Sequence, residues 1–259
     1  MTKKVIIGIE NEFELRHRTI GVKIDGKLVV DRIIDNIKIP YFRRSSGNFR
    51  LATGGSFYID GNEPEITTAP YLLEKGAVTA VATNLVENRN VLVDAINVMS
   101  EVKIYQLDGY SAHYNFTTPQ SLESEHYRRD LSRVLALTVN PALQLLVENR
   151  HSSGVMFRYR ADGRIEICAD YISNIDDIVT AVGFQAGMLT RIDDWVKDGA
   201  TIEDVQTILG YKLLGTPEKS ASRPGYTLKT PDVIKKGRKA VLEVENKGKV
   251  QNMTAQELL

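Results

Sequence analysis

The sequence predicts an α+β fold: a curved antiparallel sheet with helices covering one of its faces. Three observations carry that expectation. Short segments of alternating apolar and polar residues recur along the chain, tight-turn pairs rich in Asp, Asn and Gly stand between them, and long stretches with apolar residues at helical spacing follow the strand pairs. Strands joined by tight turns pair antiparallel, and a helix after each pair covers one side and leaves the other open. The unit of hairpin then helix repeats three times, without sequence identity between the copies.

The first strand runs Ile7-Gly8-Ile9-Glu10-Asn11-Glu12-Phe13-Glu14-Leu15. Side chains alternate along a strand, so Glu10, Glu12 and Glu14 project together, opposite Ile7, Ile9, Phe13 and Leu15. Carboxylates spaced about 7 Å apart on one face repel, and a cation relieves the repulsion. A magnesium–nucleotide site accounts for that arrangement; a solvated acidic face is the alternative. Residues 23–30 read as a hairpin turning at Asp25-Gly26. Residues 40–55 read as a loop carrying Arg43, Arg44, Gly47, Arg50, Gly54 and Gly55. Residues 57–60 and 63–68 are two strands joined by Gly61-Asn62. Tyr58 and Asp60 share a face of the first, Glu63 and Glu65 a face of the second. Pro70 then opens a helix through residue 99, with Leu73, Ala77, Val81, Leu85 and Val86 as its apolar stripe.

Residues 103–106 and 110–116 form the next strand pair around Asp108-Gly109, and Ser111, His113 and Asn115 share a face. A second helix spans 121–149, where Pro141 kinks or splits it. Residues 155–159 and 164–169 pair around Asp162-Gly163. Arg158 and Arg160 align there, while Arg164, Glu166 and Cys168 alternate with Ile165, Ile167 and Ala169. A third helix covers 174–197, and 201–209 form a short one. The pattern weakens after Gly215. The chain therefore divides into residues 1–215, which carry the sheet, and 216–259, a basic extension around Lys235-Lys236-Gly237-Arg238-Lys239 that is expected to be mobile.

With 259 residues, 42% of them hydrophobic and 25% charged, the composition is that of a soluble globular protein with ample core. Lys+Arg and Asp+Glu both total 33, so global charge draws the chain neither to nucleic acid nor to a membrane. Cys168 is the only cysteine, which excludes an intrachain disulfide. His17, His113, His126 and His151 lack the spacing of a zinc site. No stretch reaches the roughly 18 apolar residues of a membrane span. The start lacks the apolar run of a signal peptide, so a cytoplasmic location is expected. Neither the P-loop nor the Rossmann glycine pattern occurs; a bound nucleotide has to be held by metals and arginines on the sheet. Carboxylates suit hard cations and arginines suit phosphate. Residue chemistry alone leaves a metal–phosphate site and a solvated face both open. His113 also reads as a histidine bonded to a backbone carbonyl, Asp60 as the start of the Gly61-Asn62 turn, and Cys168 as a packing residue.

Several short motifs occur in a fixed order. Gly8-Ile9-Glu10-Asn11-Glu12-Phe13 comes first, then Tyr58-Ile59-Asp60 and Pro64-Glu65-Ile66-Thr67-Thr68. His113 with Asn115 two residues on follows, and Arg164-Ile165-Glu166-Ile167 closes the series. The series resembles the carboxylate–amine ligase superfamily of glutamine synthetase and glutamate–cysteine ligase, and within it the Pup ligases and their depupylase relatives. The resemblance runs from Val5 to Ala169 and implies a glutamine-synthetase-like catalytic cradle. Carried over, it implies that Glu10, Glu12, Glu65 and Glu166 hold Mg2+ ions that bridge ATP phosphates. It further implies that Tyr58, His113, Arg158 and Arg160 line the ATP, and that Arg158, Arg160 or Arg164 neutralises the transferred phosphate. Asp60 resembles the base of the ligases and the nucleophile of the hydrolases. The implied reaction phosphorylates a substrate carboxylate, on a small molecule or a peptide, and an amine then attacks the acyl phosphate. No nucleic-acid or membrane partner is expected, and a homo-oligomer is compatible with the sequence. Two alternatives stand beside this: an amide hydrolase on the same scaffold, and a non-catalytic binding or assembly protein that keeps the sheet. Asn115, neutral where some relatives have an acid or histidine, and Cys168, where a second arginine would stand, favour the last.

Overall fold

Alternation along the first strand is realised in the computed structural model, which describes residues 5–99, 105–147, 155–208, 210, 212–220, 223–246 and 248–258. In β1 (Ile6–His17), Ile7, Ile9, Asn11, Phe13 and Leu15 are buried, while Glu10, Glu12 and Glu14 are half-buried. Then follow α1 (Val30–Asp35), β2 (Tyr41–Ser45), β3 (Asn48–Leu51), β4 (Ser56–Asp60), β5 (Glu63–Thr67), β6 (Tyr71–Leu72) and α2 (Ala77–Met99). Next come β7 (Tyr105–Thr117), α3 (Pro119–Glu123), α4 (Glu125–Thr138), α5 (Asn140–Gln144), β8 (Met156–Tyr159), β9 (Ile165–Asp170), α6 (Ile175–Lys197) and α7 (Ile202–Ile208). The last described elements are β10 (Lys212–Leu213), β11 (Glu218–Lys219), β12 (Gly225–Thr227), α8 (Pro231–Lys236), β13 (Val241–Asn246) and β14 (Lys249–Thr254). The fold is mixed, a large antiparallel sheet with helices. No helix among the described residues is long and apolar enough to cross a membrane.

The chain forms two compact units. One, here the acidic unit, comprises Gly8–Ala112 and Tyr171–Val179; the other, the arginine unit, comprises Met1–Ile7, His113–Asp170 and Thr180–Leu259. In the acidic unit the strand order is β7-β1-β5-β4-β3-β2, with β6 also on β1. From β1 through β2 these neighbours pair antiparallel. Helix α2 packs on β5 and β6 and buries Val81, Leu85, Leu92 and Ile96, a stripe at helical spacing. The same stripe carries Asn84 and Asn88. Asn88 donates to the Thr67 carbonyl at 2.9 Å and accepts from the Thr53 hydroxyl at 2.6 Å, while Asn84 accepts from the Ala69 N–H at 3.1 Å. A Cβ on Gly55 would lie 2.2 Å from the Asn88 amide, so the absence of a side chain lets the helix clamp the β4–β5 hairpin.

The arginine unit has the strand order β11-β12-β8-β9-β7, with β11, β12, β8 and β9 paired antiparallel and α4 packed on β8 and β12. A second sheet, β10-β13-β14, has its own core of Leu213, Val233, Ala240, Leu242, Val244, Ala255 and Leu258. Asn140 donates to the Leu228 carbonyl at 2.7 Å, tying α5 to the chain after residue 215. The run Lys235-Lys236-Gly237-Arg238-Lys239 forms the end of α8 and a 3-10 turn.

Several local expectations are corrected. Asp25-Gly26 does not turn a hairpin: Asp25 caps a 3-10 turn at Gly26–Leu28, accepting from the Lys27 N–H at 2.9 Å, and α1 follows. Residues 40–55 contain the β2–β3 hairpin instead of a loop. Helix α2 starts at Ala77, seven residues after Pro70, because β6 intervenes. Asp108-Gly109 lies inside the continuous strand β7. Its glycine serves packing, since a Cβ there would sit 2.4 Å from the Tyr171 ring. The 121–149 helix is split among the end of α3, α4 and α5, with Pro141 in the first turn of α5. Residues 103–104, 148–149 and His151 lie outside the described residues.

Candidate functional site

Register builds the polar face of the acidic unit strand by strand. Residues directly opposite in a ladder share a face. Glu12 opposes Glu65, Glu65 opposes Tyr58, and Tyr58 opposes Asn48, giving one row across β1, β5, β4 and β3. The adjacent row is Glu10, Thr67, Ser56 and Arg50. Asp60 and Glu63 form the next pair on the other side. On the opposite face Phe49, Phe57 and Ile66 are fully buried, which pins the pleat and leaves the acids no alternative register.

Glu12, Asp60 and Glu65 converge: one carboxylate oxygen from each lies within 4.8 Å of the others. Glu65 is 2% exposed, Glu12 half-buried and Asp60 exposed. Burial first, then hydrogen bonding and repulsion from Glu12 and repulsion from Glu10, push the Glu65 carboxyl up to about 9; the Tyr58 hydroxyl, bonded to Glu65, works against this. Tyr58 in turn is raised by burial and by Glu10 and Glu65, so it stays a protonated donor. The bond between Glu12 and Glu65 requires a shared proton, because two carboxylates have no donor between them. The Ser111 hydroxyl donates to Glu12 from β7. An all-oxygen set of three carboxylates is the donor chemistry that Mg2+ or another hard divalent cation takes, and these residues fit such an ion.

Further along this face, Lys23 bridges Glu63 at 2.6 Å and Glu14 at 3.3 Å, and Arg16 also pairs with Glu14. Sequence reasoning missed this bridge, since Lys23 sits in a segment read as a hairpin strand. Glu14 is thereby neutralised, which separates it chemically from Glu12. Asp60, assigned from the motif to proton transfer, is part of the carboxylate cluster. Glu10 lies two residues from Glu12 on the same face.

The arginine unit carries its own polar cluster. Arg158 opposes Glu166 in the β8–β9 ladder and binds it at 2.9 Å; Arg160 reaches the same oxygen at 3.5 Å. Both members of the Arg158–Glu166 pair are buried. Burial alone would raise the Glu166 carboxyl, but His113, Arg158 and Arg160 outweigh it and hold it below the ordinary carboxylate value. His113 and Asn115 are buried in β7. Arg164 turns to Asp162 and to the Asn115 side-chain oxygen, each at 2.9 Å. The Cys168 thiol lies 3.8 Å from Glu166, on the same face.

Fold and site residues together define a mixed α/β protein with a carboxylate cluster in the acidic unit and an arginine–glutamate cluster in the arginine unit. Neither a protein-family model nor a curated protein sequence matches the chain. Among solved structures it is similar to the ligase PafA, solved in complex with the prokaryotic ubiquitin-like protein Pup, at 16% identity and a TM-score of 0.49. That match covers 98% of this chain and 56% of PafA, so the chain spans about half the length of that structure.

Proposed function

We propose that the protein is an ATP- and magnesium-dependent carboxylate–amine ligase that forms an amide bond through an acyl phosphate. The observation that carries the reading is the convergence of Glu12, Asp60 and Glu65 within 4.8 Å. It falls on residues of the motif series that resembles this superfamily. Glu10, Glu12, Glu65 and Glu166 are assigned as Mg2+ ligands, and Tyr58, His113, Arg158 and Arg160 as the residues that line ATP. Bound Mg2+ would neutralise phosphate charge and polarise the transferred phosphoryl group.

The chain's own groups supply the rest. Arg158 and Arg160 offer a fixed guanidinium pair for phosphate oxygens, held in place by Glu166. Arg164 is assigned a share of the same charge. The Tyr58 hydroxyl keeps Glu65 oriented as its protonation changes. Asp60, the exposed member of the cluster, takes a proton from the attacking ammonium. A carboxylate-bearing small molecule or peptide and an amine are the substrates.

The test is incubation with ATP, Mg2+, a panel of carboxylates and a panel of amines. The ligase reading predicts ADP and amide in equal amounts, lost in Asp60→Asn. Amide cleavage without stoichiometric ATP consumption would identify the hydrolase instead, with Asp60 as nucleophile. Absence of both activities, together with no thermal shift on adding Mg-ATP, would leave a non-catalytic binding protein.

A further inference from the structure

Among the described residues, strand β2 ends the sheet of the acidic unit, with β3 as its neighbour in the strand order. All five of its residues are exposed, Phe42 at 70%. The Ala52 N–H donates to the Pro40 carbonyl at 2.8 Å. Alternation in an antiparallel ladder then turns the N–H and C=O of Phe42 toward Arg50 and those of Tyr41 and Arg43 outward, along the free edge. Sequence composition marks the same place. Residues 36–59 contain no Asp or Glu but include Lys38, Arg43, Arg44 and Arg50, in a chain whose net charge is +0. All four cations are exposed. Arg43 is partly engaged, with Asp31 at 3.0 Å and the Phe49 ring beneath it; no acid faces Arg44 or Arg50 from within this stretch.

From this edge we infer that β2 docks an extended acidic polypeptide, which joins the sheet as a further strand. Outward donors and acceptors on one edge match a polypeptide backbone. A nucleic-acid backbone supplies only acceptors from its phosphates, so it would leave the Tyr41 and Arg43 carbonyls unmatched. A second copy of this chain is disfavoured, because antiparallel pairing of β2 with itself sets arginines across from arginines. The arginines and the register shift between Arg43 and Ser45 are the usual guards of a free edge against self-association. The same positive charge selects a partner of opposite sign. Exposed Phe42 adds an apolar contact on the face it shares with Arg50. Docking here is independent of the ligase reaction, and either can fail without the other.

The experiment uses the full chain and a short fluorescein-labelled peptide of alternating Glu and Val, read by fluorescence anisotropy. Saturable binding is expected, weakened at least about tenfold both by the pair Arg44→Glu and Arg50→Glu and by Tyr41→Pro, which removes an outward N–H without touching the β2–β3 ladder. Thermal unfolding of each variant checks that it is folded, and the exposed arginine pair keeps the test decisive if the proline variant is not. Several results would overturn the docking role: no binding of the Glu/Val peptide, equal binding of its N-methylated form, or equal binding of a Lys/Val analogue. Displacement of the peptide by oligothymidine would assign the edge to nucleic acid instead, and a β2-dependent dimer would assign it to a second copy.

Discussion

Glu65→Gln is the most informative single change, because Glu65 is the buried carboxyl of the cluster and the one whose charge the fold resists. Its carboxyl sits at about 9 in the folded chain against an ordinary 4.5. A carboxyl raised in this way stabilises the fold in full below about pH 4.5. That contribution is lost as pH rises toward 9, since the unfolded chain gives up the proton first. Between those limits the slope is at most about 1.4 kcal/mol per pH unit. The metal-free protein should therefore lose stability steadily from about pH 5 to about pH 9, and Glu65→Gln should flatten that decline. A divalent cation replaces the shared proton. Near pH 7 its uptake should release about one proton, and apparent affinity should rise about tenfold per pH unit until about pH 9. Denaturant unfolding in the presence of a chelator reads the first effect; calorimetry in buffers of different ionisation enthalpy counts the proton. Cation binding without proton release, or an equal pH slope in wild type and Glu65→Gln, would refute the reasoning.

Three further changes probe the surroundings. Arg158→Met leaves the Glu166 carboxylate, whose side chain is 4% exposed, without its 2.9 Å partner. Denaturant unfolding should show a loss of about 3 kcal/mol near neutral pH, largely recovered in Arg158→Met with Glu166→Leu. Because Glu166 is held below its ordinary value, the loss should shrink as pH falls from about 4.5 through that lower folded value, since the unfolded chain takes up the proton first. Gly109→Ala places a methyl 2.4 Å from the Tyr171 ring and should cost about 1–3 kcal/mol by thermal or chemical unfolding. Asn11→Leu removes a buried side-chain oxygen with no hydrogen-bond partner among the described residues, but also the Nδ2 donation to the Glu10 carbonyl at 3.1 Å, so the same measurement should find the variant within about 1 kcal/mol of wild type.

What the sequence made legible was local and facial. The alternation in Ile7 to Leu15 assigns each side chain of β1 to its face, and Asn11 is buried among the apolar residues as its parity demands. Arg158 and Glu166 align because the Asp162-Gly163 turn sets the β8–β9 register. Turn chemistry misled where tertiary packing used the same residues otherwise. Gly109 makes room for Tyr171 inside a strand, and Asp25 caps a 3-10 turn. Val241–Asn246 pairs with Lys249–Thr254 in a hairpin that its alternating Leu242 and Val244 could have signalled, but the surrounding charge hid it. Strand order was beyond the sequence altogether. Nothing local states that β1 neighbours β5, and that adjacency alone sets Glu12 opposite Glu65 and beside Asp60. The lysine bridge from Lys23 to Glu14 and Glu63 is hidden for the same reason.

A titration of the full chain with Mn2+, followed by the loss of the free-ion electron paramagnetic resonance signal, puts the carboxylate cluster to the most direct test. Saturable binding that Mg2+ displaces, weakened at least about tenfold in Glu12→Gln and in Glu65→Gln, is the predicted result. Wild-type protein that leaves the Mn2+ signal untouched, or binding that neither variant changes, would contradict it.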